Sequence, residues 1–263
     1  MTKASPVMWL LGGAGAVWAA SRWRDRKAAR DDAWAADHDE DEIEPVREAA
    51  PVETRPGTTR ALSRRYDGEL VAYGQGLPLP YLRALAARES GLRADDPKGL
   101  INVVRVVRED YNARHGTRYQ PKDLTSPAIN ITIAAETLRR IVDSYARHHP
   151  DVPNLQEDWS NRHFVELLTF GWNAGYSERA GVGRVARYLE QLGQTDITLA
   201  DIAKNAHAAG ASHWLWAHPK KVAWTRSVAR LYVDERVRDH AAGLPVATAP
   251  PPAPVSDPAQ VGG

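Results

Sequence analysis

The chain has 263 residues, 43% hydrophobic and 25% charged, which suits one or two globular domains with a core of useful size. It has no cysteine, which excludes disulfides, thiolate metal sites and a catalytic thiol. The net charge of +1 hides an asymmetry: residues 31–55 hold ten acids and two bases, while residues 56–240 hold 26 Lys or Arg against 21 Asp or Glu, a +5 body that suits an anionic polymer as well as a solvated surface of mixed charge.

Val7 to Ala20 is an uncharged run of fourteen residues, preceded by Lys3 and followed by Arg22, Arg24, Arg26, Lys27 and Arg30. A spanning helix needs about 20 apolar residues, so the run is short, though Ser5 to Ser21 extends it and Trp9, Trp18 and Trp23 suit interfaces. Residues 1–30 are therefore expected to be a membrane anchor or a cleaved export signal. The basic flank follows the run, which by the positive-inside tendency puts the downstream chain in the cytoplasm, against an envelope-facing role. Gly12-Gly13-Ala14-Gly15 lies inside this run and has no strand or helix context for a phosphate loop. Residues 31–62 are acidic, with Pro45, Pro51 and Pro56 and few large apolar side chains, and are expected to form a disordered linker.

Residues 63–240 read as a helical body. Helical spacing of apolar residues, or a Pro at the first turn, predicts helices over 80–88, 101–111, 130–145, 163–174, 182–192, 198–209 and 220–238. The 163–174 segment is the most apolar and is expected to be central. In the last helix Val222, Ser227 or Val228, Leu231 and Val237 form the expected inner face. Alternating strand patterns are nearly absent, so the fold class is mostly α. Residues 241–263 form a Pro-rich tail, expected to be extended or disordered.

Glu89 ends the 80–88 helix ahead of Ser90 and Gly91, and glycine favours a helix end because it tolerates a left-handed backbone. A carboxyl at the tip of a helix with a buried face can have a raised pKa and act as a general acid. By itself a Glu at a helix end is more often a surface residue. Its sequence neighbours change that weighting. Glu89-Ser90-Gly91-Leu92 is followed by Gly99-Leu100-Ile101-Asn102, then by Asn130-Ile131 opening a helix, then by Phe170-Gly171-Trp172-Asn173-Ala174-Gly175. This order and spacing, over roughly residues 70–235, resemble the soluble lytic transglycosylase domain family, relatives of goose-type lysozyme. That family has Glu-Ser, Gly-Leu-x-Gln, Asn-Ile and Ala-Tyr-Asn-Ala-Gly.

The resemblance implies a lysozyme-like helical domain that cleaves the β-1,4 bond between N-acetylmuramic acid and N-acetylglucosamine in peptidoglycan. Glu89 matches the single catalytic acid/base, and Ser90 the residue that steadies it or the adjacent sugar. Asn102 stands where the family has Gln for substrate, Trp172 replaces a cleft Tyr, Asn173 matches the cleft Asn, and Tyr232 matches a late cleft tyrosine more loosely. Gly171 replaces an Ala. Asn is one methylene shorter than Gln, and Trp172 keeps an aromatic wall while losing a hydroxyl. The implied product is a 1,6-anhydro end. Most glycosidases use two carboxylates, and Asp95 or Asp96 holding a water would make the enzyme a hydrolase. Both also read as turn residues before Pro97. A non-catalytic wall-binding module of the same fold is the other alternative.

Trp159, Trp214, Trp216 and Trp224 are candidates for stacking on sugars, although a Trp is more often partly buried core. His148, His149, His213 and His218 match no ligand spacing, so neither a metal nor a cofactor is expected. The modest basic charge without interleaved aromatics predicts no nucleic-acid partner. The expected partners are glycan strands, a membrane through the N-terminal segment, and an envelope, phage-particle or conjugation assembly. The expected location is the cell envelope or a virion membrane.

Overall fold

The computed structural model describes residues 61–211 and 219–244. The expectations for residues 1–60, for the tail beyond residue 244, and for His213, Trp214, Trp216 and His218 lie outside the described residues. Among the described residues there are eight α-helices and no strand: α1 (Asp67–Tyr73), α2 (Leu79–Glu89), α3 (Arg105–His115), α4 (Pro127–His148), α5 (Arg162–Ala174), α6 (Val182–Gln191), α7 (Leu199–Asn205) and α8 (Pro219–Ala241). Short 3₁₀ turns at Pro121–Thr125 and Pro153–Leu155 precede α4 and α5. None of the described helices is long and apolar enough to cross a membrane.

Local chemistry sets most of these boundaries. Pro80 stands in the first turn of α2 and Pro127 opens α4, where a missing N–H costs nothing. The Asn161 side chain accepts the His163 N–H at 2.9 Å to start α5. Thr198 and Asp201 form a reciprocal capping box at α7. Gly116, at φ 66°, closes α3 in the left-handed conformation.

The centre is α5. Every residue from Phe164 to Trp172 is buried, so this helix is covered on all sides, chiefly by α8, α4, α6 and α7. α2 packs along α8, and α1 bridges α2 and α4. The buried face of α8 differs from the expected one: Val237 is exposed, and Thr225, Val228, Ala229, Tyr232, Glu235 and Asp239 point inward. The reason is Arg83. This α2 residue is fully buried and makes a two-pronged pair with Asp67 (2.9 and 2.7 Å), with further bonds to Glu235 (2.9 Å) and Asp239 (3.2 Å). An apolar count along α8 cannot find a face whose C-terminal part consists of carboxylates satisfied by a cation on another helix. Arg64 also reaches Asp239 at 2.7 Å, and the Leu62 N–H meets Glu235 at 3.4 Å, so the first described residues are tied to the same cluster.

Candidate active site

Glu89 is the last residue of α2. After it the chain turns through Ser90 and Gly91, the latter at φ 67°. The Ser90 hydroxyl donates to the Leu100 carbonyl at 2.8 Å and accepts the Arg93 N–H at 3.1 Å. Ser90 is thereby committed to closing the 90–100 loop. Its hydroxyl does not bond the Glu89 carboxyl, which is one of the roles expected of it.

That loop is a turn built on Asp96. Its carboxylate accepts the Lys98 N–H at 2.9 Å, and its carbonyl accepts the Gly99 N–H at 2.8 Å. Asn130, fully buried at the start of α4, then pins the loop from below. Its amide donates to the Lys98 carbonyl at 2.9 Å, and its side-chain oxygen accepts the Ile101 N–H at 2.8 Å. Gly99 permits this approach: it sits at φ 76°, and a β-carbon there would lie 2.1 Å from the Asn130 amide nitrogen and 2.2 Å from the Leu124 carbonyl oxygen. Gly99→Ala should therefore lower stability by about 2–4 kcal/mol through strain and overlap. Denaturant titration checks this, and a loss below about 0.5 kcal/mol would contradict the tight fit. Asn130 is a positioning residue for the site. The sequence marks it only as the first half of the Asn-Ile pair.

The pinned loop delivers Asn102 at φ 36°, a left-handed conformation uncommon for a residue with a side chain. Its amide nitrogen lies 3.0 Å from the Glu89 carboxylate oxygen Oε2 and 3.1 Å from the Glu89 carbonyl. From the other side, α5 presents Trp172, whose indole N–H donates to Glu89 Oε1 at 2.8 Å. Trp172 thus supplies an N–H donor to the Glu89 carboxyl. Gly171 has its own cause: a β-carbon there would stand 2.2 Å from the Tyr145 hydroxyl oxygen, which bonds the Leu167 carbonyl at 3.2 Å.

Glu89, Asn102, Trp172 and Asn173 line one cavity of ≈ 170 Å³, together with Lys98, Val104, Val107 and Lys221. Asn173 carries a buried side-chain oxygen with no hydrogen-bond partner. A larger cavity of ≈ 380 Å³, lined by residues including Val107, Arg140, Tyr176 and Ser177, adjoins it through Val107. Glu109 and Asp110 line it, neither of them buried, whereas the buried Glu89 carboxyl belongs to the smaller one. Tyr232 does not join the site: its hydroxyl donates to the Trp159 carbonyl at 2.7 Å, and its ring packs with Tyr81 and Trp159. Trp159 is also packing, 5.0 Å from the Tyr81 ring centroid and 5.3 Å from that of Phe164. Trp224 packs partly buried against the core and does not line this cavity. Asp95 and Asp96 do not line it either.

Glu89 keeps some exposure as a residue, but protein surrounds its carboxyl. Burial pushes that carboxyl above the usual range of a glutamate. The Trp172 and Asn102 hydrogen bonds and the Lys98 charge pull it down, and Asp96 pushes it up. Burial prevails, which favours the protonated form. Trp172→Phe removes a donor that favours the carboxylate, so the pH at which an acid function of Glu89 is lost should move upward. A pH profile of kcat/KM measures this, and a downward move would contradict the assigned hydrogen bond.

Compared with protein-family models, curated proteins and solved structures, the chain has no match.

Proposed function

We propose that this chain is a peptidoglycan lytic transglycosylase with a lysozyme-like helical domain, using Glu89 as its only acid/base. The observation that carries the reading is the Glu89 carboxyl, desolvated and held between the Trp172 and Asn102 N–H groups at the edge of a cavity that also holds Asn173. These are the residues that the motif order assigns to the cleft. The adjoining cavity supports a ligand longer than one sugar.

Protonated Glu89 donates its proton to the bridging oxygen as the C1–O bond breaks, and N-acetylglucosamine leaves. The acetamido oxygen of the muramoyl unit stabilises the cationic C1. Glu89, now a carboxylate, takes the proton of the muramoyl C6 hydroxyl, whose oxygen bonds to C1 and closes the 1,6-anhydro ring. No water is consumed and the proton returns to Glu89, so one carboxyl suffices. Among the described residues lining the cavity Glu89 is the sole carboxylate, and Asp96 is engaged in its turn. With one carboxyl to serve as acid and then as base, the C6 hydroxyl is the proposed nucleophile, and water in its place would give the hydrolase alternative. The N-terminal apolar run then serves as membrane anchor or export signal, in a cell envelope, a conjugation system or a virion. Incubating purified peptidoglycan with the protein tests the reading: soluble fragments are expected, and undiminished sacculi would oppose it.

A further inference from the structure

Two lysines that the acid/base chemistry does not use wall the cavity beside Glu89. Lys98 comes from the Asp96 turn and Lys221 from the first turn of α8, so two lysines from separate elements line the same ≈ 170 Å³. Lys98 is close enough for its charge to act on the Glu89 carboxyl. With Glu89 protonated, the described lining carries two positive charges and no negative one. Each ammonium has polar interactions of its own, which an arriving anion would share or displace. A neutral N-acetylated sugar gains little from such a lining, whereas a carboxylate gains charge-assisted hydrogen bonds.

We propose that Lys98 and Lys221 form an anion subsite that selects muramoyl units bearing a free carboxylate. The inference rests on reading the Glu89 cavity as the glycan-cleaving site, and adds which chemical form of the glycan it takes. The carboxylate has two possible sources, the lactyl group of a peptide-free muramoyl unit or the attached peptide. A C6 phosphate is a poor candidate, because ring closure needs that hydroxyl free.

Three glycan preparations separate the cases: one stripped of peptide, one with peptide carboxylates free, and one with the same carboxylates converted to carboxamides. The native protein should show a KM roughly tenfold lower for a carboxylate form than for the carboxamide form, as expected for one charge-assisted contact. Whichever carboxylate preparation carries the preference identifies the source. Lys98→Met and Lys221→Met should narrow that ratio, and added salt should narrow it in the native protein. Equal KM for all three preparations, or lysine variants that raise KM for all in the same proportion, would overturn the subsite. Equilibrium binding of the three preparations to Glu89→Gln separates this from failure of the glycan-cleaving reading. If the native protein cleaves none, that reading fails. A carboxylate preference in binding that disappears on adding either lysine substitution still upholds the subsite, and absence of the preference removes it.

Discussion

Glu89→Gln should reduce the rate of fragment release from purified peptidoglycan by at least about 10³-fold, because in the proposed reaction one side chain serves as acid in the first half and as base in the second. The amide preserves size and can still accept the Trp172 N–H, but it has no proton to give and no charge with which to take one. A thermal melt within a few degrees of native would assign the loss to chemistry. The intact protein should lose kcat/KM as pH rises through the raised Glu89 pKa, since the acid must be protonated to begin the reaction. Burial, the largest influence on that carboxyl, places this loss above the pH at which an ordinary glutamate ionises. An activity that declines only on the acid side, or a Gln variant of native rate, would remove Glu89 from the mechanism.

Arg83→Ala should be the most damaging substitution for folding. It leaves Glu235 and Asp239 buried without the cation that lies 2.9 and 3.2 Å from them. Stranding buried carboxylates costs about 3–5 kcal/mol, or on the order of 10 °C in Tm for a domain of this size. Arg64 and Arg238 remain near these carboxylates but are more exposed, and neither links them to α2. Combining Arg83→Met with Glu235→Leu and Asp239→Leu should recover much of the loss, because the charges vanish together. A loss under about 1 kcal/mol for Arg83→Ala would show that α2 and α8 hold together by apolar packing alone. Since α2 carries Glu89 at its tip, a milder substitution at Arg83 should also reduce activity by letting that tip move.

The sequence revealed the helices more readily than it revealed what holds them. Periodicity and Pro positions place α2, α4, α5, α6 and α8 to within a few residues. They start the third helix too early: residues 101–104 belong to the pinned loop, and Asn102 takes a left-handed backbone there. α1 goes unannounced, with only Leu70 buried in seven residues. Of the residues assigned to the cleft, Glu89, Asn102, Trp172 and Asn173 share one cavity. Ser90 and Tyr232 turn away, because each hydroxyl finds a backbone carbonyl that spacing along the chain does not reveal. The same holds for Asn130 and Arg83. Their partners are 16 to 156 residues away, so their roles appear only when separate segments are brought together.

The central claim, that a single buried carboxyl cuts the glycan without using water, is tested most directly by mass spectrometry of the muropeptides released by the native protein. Fragments with 1,6-anhydro ends, each lighter by one water than the hydrolysed form, are the predicted result. Fragments at the hydrated mass would contradict the claim, since they require water rather than the C6 hydroxyl to attack C1.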